Sequence, residues 1–178
     1  MNTDVADANL ARALFDYDPE TGIVRWKVDR FAGEYRGRQV ARAGDVAGCK
    51  CPVHGYWKLS FKGRSRPAHK VIWLIVTGRW PAAEIDHINC DRADNRWANL
   101  RAATRAQNGQ NRGANKRNTT GFKGVTYWPA RKKYMAQIMA NGVQKTLGYF
   151  DTPNEAHAAY CAAAAKLHGQ FANFGAKK

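Results

Sequence analysis

The residues with the clearest chemistry lie in a polar stretch between residues 84 and 110. An aspartate and a histidine are adjacent there, Asp86 and His87, and a series of asparagines follows as far as Asn108. Hydrolysis of a phosphodiester needs a base that activates water and a cation at the scissile phosphate. His87 can supply the base, and the carboxylate of Asp86 and the side-chain carbonyl of Asn108 are oxygen ligands that a hard cation such as Mg²⁺ prefers. The pattern therefore favours metal-dependent hydrolysis of a phosphodiester.

Short elements must bring these residues together. Residues 84–101 are predicted to form two short strands joined by a polar loop, and the adjacent aspartate and histidine can share a site only where the first strand ends. Thr104 and Gln107 have the spacing of a capping box, which predicts that a helix begins at Arg105. Arg105 and Asn108 are then three residues apart on one face of that helix. The predicted order is strand, loop, strand, helix.

This arrangement resembles the HNH family of endonucleases, in the form found in phage homing endonucleases. The segments that carry the resemblance are Asp86-His87-Ile88-Asn89, Asp94-Asn95-Arg96-Trp97-Ala98-Asn99-Leu100-Arg101 and Thr104 to Asn108. The last letter of the pattern is Asn here, where some branches of the family have His. This choice favours Mg²⁺ over a transition metal at a His-rich site.

The resemblance implies a role for each matching residue. His87 would be the general base, and Asn99 would brace the loop by hydrogen bonding. Asp86 and Asn108 would bind one divalent metal ion, Mg²⁺ with Mn²⁺ as the alternative, and Arg105 would contact a phosphate. The resemblance also implies a gene carried by a phage or prophage and expressed in a bacterial host cell.

Simpler interpretations of the same residues stay open. An Asp-His pair followed by asparagines also occurs in caps and turns. Asp91 and Asp94 suggest a calcium loop, but the glycine and the closing glutamate of that motif are missing. His69 and the remaining histidines are expected to be structural or exposed. The four cysteines are scattered without a CxxC pair, which favours free thiols over a zinc site.

The composition indicates a polyanion as the partner. The chain has 178 residues with 29 Lys plus Arg against 14 Asp plus Glu, a formal net charge of +15. A hydrophobic fraction of 44% and six tryptophans exclude a disordered basic tail as the whole chain, and the length excludes a large multi-domain enzyme. The longest apolar run, Val71–Val76, is far shorter than the roughly 18 residues of a membrane span, and no secretory signal is recognisable. A cytoplasmic protein without membrane contact is expected.

The predicted fold class is α+β. The chain is predicted to contain a nuclease domain, a basic linker and a C-terminal domain, which cover residues 10–110, 111–118 and 119–174. The nuclease domain divides into a small β-rich support module over 10–83 and a ββα-metal core over 84–110. The linker is rich in Gly, Asn and cations and lacks apolar periodicity.

The C-terminal domain is predicted from strong local signals. Strand patterns cover residues 123–128, 133–140 and 143–149. Asn141-Gly142 is a typical two-residue hairpin turn between the last two strands. Thr152-Pro153-Asn154-Glu155 combines an N-cap, a proline at the first helical position and a glutamate at the third, which predicts the start of a helix. A three-stranded antiparallel sheet packed on one helix follows.

The hairpin turn predicts which residues share a face of this sheet. Residues opposite each other share a face, so Ala136 is expected opposite Leu147 on the side of the helix, with Tyr127 on that same inner side. The outer side is expected to bind DNA, with polar groups for base edges and cations for phosphates. The predicted DNA-binding residues are Lys123, Thr126, Trp128, Arg131, Lys133, Gln137, Gln144 and Thr146.

The C-terminal stretch resembles the DNA-binding domain of the plant ethylene-response factors. The segments that carry this resemblance are Gly124-Val125, Ala136-Gln137-Ile138, Leu147 to Thr152, Glu155-Ala156, Ala159-Tyr160, Ala163-Ala164, Lys166 to Gly169 and Ala172-Asn173-Phe174. The resemblance implies a sheet that lies in the major groove of double-stranded DNA. Several outward positions that are Arg in that family are Thr126, Trp128, Met139, Gln144 and Thr146 here, so the family's target sequence does not carry over.

These patterns together predict a site-specific DNA endonuclease of the homing type that nicks one strand per active site. It is expected as a monomer, or as a homodimer where both strands are cut. The main alternative is a non-catalytic, sequence-specific DNA-binding regulator with a degenerate nuclease element. A second alternative is a protein that binds or cuts RNA, since charge alone does not separate the nucleic acids.

Overall fold

The computed structural model describes residues 3–32, 38–115 and 117–175. The chain divides into two compact units, residues 1–102 and 103–178. Small antiparallel sheets and a few helices build these units, which confirms the predicted α+β class. Residue 116 of the predicted linker and residues 33–37 of the predicted nuclease domain lie outside the described residues. No helix in the described part of the chain is long and apolar enough to cross a membrane.

The first unit consists of two helices and several short strands. Its elements are α1 (Thr3–Leu14), β1 (Phe15–Tyr17), β2 (Val24–Trp26), β3 (Arg30–Ala32), β4 (Arg38–Ala41), β5 (Cys49–Lys50), β6 (Trp57–Phe61), β7 (Arg64–Pro67), α2 (Ala68–Thr77), β8 (Glu84–His87) and β9 (Leu100–Ala103), whose last residue falls in the second unit. The strands pair as β1-β2, β3-β4, β5-β6-β7 and β8-β9.

One hydrophobic core holds the first unit together. Helix α1 contributes the buried alanines Ala8 and Ala11, and the apolar face of α2 is fully buried. The ring of Phe15 packs against Trp26 at 4.7 Å and against Phe61 at 6.2 Å between centroids. Burial of side chains of this size stabilises the fold by about 1.5–3 kcal/mol each. The core therefore joins the N-terminal helix and hairpin to the strands and the helix that precede β8.

The predicted strand, loop, strand, helix order is present. Strand β8 ends at His87, and a 3₁₀ turn over Trp97–Asn99 leads directly into β9. Helix α3 (Arg105–Gln110) begins after Thr104, whose side chain accepts from the Gln107 amide while the Gln107 side chain accepts from the Thr104 amide. This is the predicted capping box. Helix α3 belongs to the second unit.

The second unit also contains the predicted sheet and helix. Strands β10 (Val125–Trp128), β11 (Lys133–Ala140) and β12 (Val143–Phe150) form an antiparallel sheet in that order, and α4 (Pro153–His168) packs on it. Asn141 and Gly142 have φ angles of 51° and 77°, as a two-residue I′ turn requires. Thr152 and Glu155 form a second capping box at the start of α4.

A β-bulge changes the register that the turn alone predicts. Gln137 lies opposite Thr146 as predicted, but Ala136 lies opposite Gly148, so its predicted pairing with Leu147 is wrong. Leu147 is the extra residue of the bulge, and its side chain packs against the buried residues between sheet and helix. Every residue of β12 after the bulge therefore faces the side opposite to the one that an unbroken register would give it.

Tyr127 lies on the inner side of the sheet with Val125, as predicted, because the register pairs Val125 with Ala136 and Tyr127 with Tyr134. Val125 is buried, but Tyr127 is 42% exposed. Its ring packs against that of Tyr134 at 5.1 Å between centroids, near the end of β10. This lateral contact between neighbouring strands covers part of the Tyr127 ring at the end of the strand.

Candidate active site

Asp86 and His87 lie together at the end of β8, and both are 4% exposed. Ile85 before them is buried as well, so the strand lacks the alternation of a half-exposed strand. Because β8 ends at His87, two neighbouring polar side chains can be enclosed by the same surroundings. Both groups are polar and need hydrogen-bond partners at such burial.

Asn99 closes the loop that separates the two strands, residues 88–98. Its side-chain oxygen accepts from the Asn89 amide at 2.9 Å, and its side-chain nitrogen donates to the Asn89 side chain at 3.0 Å and to the Asp94 carbonyl at 2.8 Å. The Ile88 amide donates to the Asn99 carbonyl at 2.9 Å. One buried amide thus ties both ends of the loop to each other, as a brace would.

Asp94 and Arg96 stabilise the middle of this loop. The guanidinium donates to both carboxylate oxygens at 2.9 and 2.6 Å, and the Asn89 side chain donates to the same carboxylate at 2.7 Å. Arg96 is the main reason that the pKa of Asp94 falls to about 2. Asp94 is therefore ionised over the physiological range and acts as an anchor of the loop rather than as a proton donor.

The imidazole of His87 is held between an amide and two rings. Its Nε2 lies 3.2 Å from Oδ1 of Asn95, and the rings of His69 and Tyr56 lie 5.1 and 5.9 Å away between centroids. Burial lowers the pKa of His87, and the Asn95 hydrogen bond and the charge of Asp86 oppose that shift in part. The neutral imidazole is the form that can take a proton from water.

Asp86 forms a buried ion pair with Arg101 on β9. Nε and Nη2 of Arg101 donate to Oδ2 of Asp86 at 2.9 and 2.7 Å, and the two side chains are 14% and 5% exposed. Arg101 compensates the cost of burying the carboxylate. Both bonds end on one carboxylate oxygen, so Arg101 orients Asp86 as well as neutralising it.

The oxygen donors of the site suit a hard cation. Among the described residues, no group of three or more His, Cys, Asp or Glu is arranged to hold a metal ion. A carboxylate with an amide carbonyl, completed by water and a substrate phosphate, is a donor set that Mg²⁺ accepts. Arg105 and Asn108 lie on α3 in the second unit, and their meeting with Asp86 and His87 stays a prediction.

Sequence reasoning missed Asn95 and Arg101, whereas it expected His69 to be structural. His69 is buried at the start of α2, and its Nδ1 has no hydrogen-bond partner among the described residues. Asn95 is one of several asparagines in the loop, and nothing local separates it from the others. Arg101 offered a signal, since a strand beside a buried aspartate needs a cation to compensate it.

Burial of His69 predicts a loss of stability in acid. Burial, and then the neighbouring His87 and Lys70, lower the pKa of His69 from 6.5 to about 3. Below pH 6.5 His69 binds a proton in the unfolded chain but stays neutral in the folded chain. The free energy of unfolding therefore falls as the pH drops toward 3. Between about pH 7 and pH 5 we expect His69 to account for a loss of about 2 kcal/mol in the free energy of unfolding.

Urea unfolding at these two pH values measures the loss. His69→Phe is the comparison, because phenylalanine keeps a ring of similar size without a titrating group. The variant is expected to lose less stability between the two pH values than the natural chain. Equal losses in both proteins would contradict the assignment of the acid sensitivity to His69.

The second unit presents a sheet face that α4 does not cover, which we call the outer sheet face. Strand pairing places on it Thr126, Trp128, Lys133, Met135, Gln137, Met139, Gln144, Thr146 and Tyr149. Gln144 donates to Gln137 across the hairpin at 2.7 Å. Six of the predicted DNA-binding residues therefore share one face: Thr126, Trp128, Lys133, Gln137, Gln144 and Thr146.

A cation and two aromatic rings lie together at one end of this face. The guanidinium of Arg131 lies 5.4 Å from the Trp128 ring and 4.8 Å from the Tyr149 ring, and the two rings are 5.3 Å apart. Lys133 forms an ion pair with Asp151. Lys123 stands apart from this group, since its Nζ donates to the Gln110 carbonyl at 2.8 Å. Tyr149 was missed because the bulge turns it outward.

Comparison with known proteins supports the resemblance to HNH endonucleases. A family model of HNH endonucleases matches residues 66–110, which include α2, β8, β9 and α3. A protein of Acanthamoeba polyphaga mimivirus named as an uncharacterized HNH endonuclease is 30% identical over 106 residues, which cover 58% of this chain and 54% of that protein. The chain thus spans about half the length of this relative.

A second relative is covered almost completely. Protein 3.8 of Escherichia phage T7 is 32% identical over 107 residues, which cover 60% of this chain and 88% of that protein. No solved structure matches the chain. The comparisons confirm the resemblance to HNH endonucleases, whereas the homing type and the ethylene-response-factor resemblance stay predictions. The chain therefore contains an HNH endonuclease domain and belongs to one family with protein 3.8 of phage T7.

Proposed function

We propose that this chain is a site-specific DNA endonuclease of the homing type that hydrolyses phosphodiester bonds with a divalent metal ion. The observation that carries the proposal is His87, a buried imidazole with a lowered pKa at the end of a strand, inside the segment that matches the HNH family. A neutral, enclosed imidazole beside an oriented carboxylate is the arrangement that activates water for attack on a phosphate.

In this proposal each residue has one task. His87 takes a proton from the attacking water, and Asn99 keeps the loop closed around it. Asp86 and Asn108 would hold one Mg²⁺ or Mn²⁺ ion, and Arg105 would contact a phosphate oxygen. The bound ion would offset the negative charge that develops on the phosphate and the leaving oxygen. Arg101 orients the Asp86 carboxylate through their ion pair.

One such site breaks one P–O bond, so a monomer is expected to nick. A break in both strands needs a homodimer or a second event. The net charge of +15 supports a nucleic acid as substrate, and the outer sheet face offers polar and aromatic side chains for choosing the position on double-stranded DNA. The phage relative supports the proposal that the gene belongs to a phage or prophage and that the protein acts in the cytoplasm of a bacterial host cell.

Supercoiled plasmid is the substrate that tests the proposal. Purified full-length chain with Mg²⁺ is expected to convert it to the nicked form, and a chelator is expected to stop the reaction. Binding of duplex DNA without nicking, with either Mg²⁺ or Mn²⁺, would favour the non-catalytic regulator. Stronger competition by structured RNA than by duplex DNA at a stated salt concentration would favour an RNA-directed protein.

Arg131 tests whether the outer sheet face binds the duplex. Arg131→Ala is expected to weaken binding to all duplexes by a similar factor and to lower the slope of affinity against salt by about one phosphate contact. Gel-shift titrations at several salt concentrations measure both effects. Lys166→Ala is the matched control, because Lys166 is an exposed cation on α4, the helix on the other side of the sheet. Equal losses in the two variants would reject this face as the DNA contact.

A further inference from the structure

Asn95 lies between His87 and the N-terminal part of the chain. It is 3% exposed, and its Oδ1 faces Nε2 of His87 at 3.2 Å. Its Nδ2 donates to the Ala93 carbonyl at 3.4 Å, which orients the amide with its oxygen toward the histidine. An amide oxygen only accepts, so Nε2 of a neutral His87 carries the hydrogen and the lone pair lies on Nδ1. Asn95 thus decides which nitrogen of His87 can act as a base.

The hairpin of β1 and β2 holds the backbone of Asn95 in place. The Tyr17 hydroxyl donates to the Asn95 carbonyl at 2.8 Å, across 78 residues of sequence. The Trp97 amide donates to the Pro19 carbonyl at 3.0 Å. One bond ends on Asn95 and the other begins at Trp97, and together they attach the loop to the hairpin of β1 and β2.

Gly22 makes this attachment close. It has a φ of +75°, and a Cβ at this position would lie 2.5 Å from the Arg96 nitrogen and 2.6 Å from the Asn95 carbonyl carbon. Only glycine lets the turn approach the loop backbone this closely. The backbone of Gly22 lies directly against the backbone of Asn95 and Arg96. The position of Asn95 is therefore set by the hairpin as well as by its own loop.

We infer that Asn95 is a positioning residue for His87, and that the β1–β2 hairpin, through Tyr17 and Gly22, fixes Asn95 and with it the orientation and tautomer of the base. The inference rests on the proposed nuclease function for its effect on the rate. It does not rest on that function for the tautomer, which is a property of the folded chain. The hairpin is therefore part of the catalytic apparatus, although its strands lie within residues 15–26 and the histidine is carried by the strand over residues 84–87.

The first test compares Asn95→Leu with Asn95→Asp in the full chain. Leucine keeps the size but has no acceptor, and kcat for nicking is expected to fall about 10- to 100-fold with KM for DNA unchanged, the usual size of effect for a partner that orients a functional histidine. Aspartate keeps an oxygen facing Nε2 and is expected to recover most of that loss. In a His87→Ala background, Asn95→Leu is expected to cause no further loss, because the base that it positions is gone.

The second test disturbs the contact between the hairpin and the loop. Gly22→Ala is expected to lower kcat by a similar factor, and Tyr17→Phe by less. Gly44→Ala is the matched control, since Gly44 also has a positive φ, +92°, but an added Cβ there meets nothing within 4 Å. Both glycine variants carry the same kind of backbone strain, so only the contact with the loop separates them. Equal activities of the two would overturn the role of the hairpin.

A third measurement does not depend on cleavage. The ¹⁵N chemical shifts of the His87 ring, recorded at about pH 8 where histidine is neutral, report which nitrogen carries the hydrogen. The natural chain is expected to show the Nε2–H form, and Asn95→Leu a mixture of both forms. An Nδ1–H form in the natural chain would overturn the inference. A natural chain with the Nε2–H form that cuts no DNA would instead overturn the proposed function.

Discussion

Replacing His87 by alanine is expected to lower the rate of plasmid nicking by about 10²- to 10⁴-fold, the range that a general base contributes. The binding of duplex DNA is expected to stay unchanged, because the imidazole is buried and the proposed DNA contacts lie in the second unit. Single-turnover nicking with excess protein measures the chemical step, and a gel shift measures binding. Together the two measurements separate a slower chemical step from weaker binding of the DNA.

His54→Ala is the matched control for this experiment. His54 is an exposed histidine of the first unit, and its structural contact is made by its backbone carbonyl, which accepts from Arg92. The control is expected to cut at the natural rate. Unchanged nicking by His87→Ala would remove His87 as the base and with it the proposed mechanism.

Arg101→Met is expected to lower the free energy of unfolding by about 3–5 kcal/mol, because it leaves the buried carboxylate of Asp86 without its cation. Methionine keeps much of the length of the side chain, so loss of volume contributes little. Urea unfolding followed by tryptophan fluorescence measures the change. The effect is expected to be larger than that of any other single ion pair in the described part of the first unit, since the Asp86–Arg101 pair is the most buried of those that the structure describes there.

Arg96→Met is the control, because it breaks a second Arg–Asp pair of the same loop region. The Arg96 side chain is 54% exposed, so the loss of its pair with Asp94 is expected to cost less than about 1 kcal/mol. A double variant, Asp86→Leu with Arg101→Met, is expected to recover much of the stability that Arg101→Met loses, since both charges are then absent. Equal small losses for the two arginine variants would show that Asp86 is better hydrated than its burial indicates.

Much of the candidate site could be predicted because its signal is an ordered pattern over a short segment. Asp86 and His87 follow from residue types and spacing, Asn99 follows from the resemblance to HNH endonucleases, and the capping box of α3 follows from Thr104 and Gln107. Asn95 could not be singled out among the asparagines of the loop, because its backbone is held by a hydroxyl on Tyr17, far away in sequence. Its role exists only once the hairpin and the loop have packed together.

For the fold, too, local features could be predicted and features that depend on packing could not. The turn at Asn141-Gly142 and the start of α4 are local, and both were predicted correctly. Helix α1 was not predicted, since its packing rests on two buried alanines that meet α2 in the folded unit. The bulge at Leu147 was also missed, because a hairpin turn predicts an unbroken register and only packing in the core shows where it breaks.

The single extra residue in β12, Leu147, reverses which side of the sheet each later residue of the strand faces. Two aromatic neighbours, Tyr149 and Phe150, exchange sides of the sheet because of it: the phenyl ring joins the apolar interior, and the phenol stacks beneath a guanidinium on the surface. Shortening the strand by one position at 147 would exchange them back, exposing a purely hydrocarbon ring and hiding a hydroxyl. The chemical character of that surface is therefore encoded in a count of residues as much as in their identities.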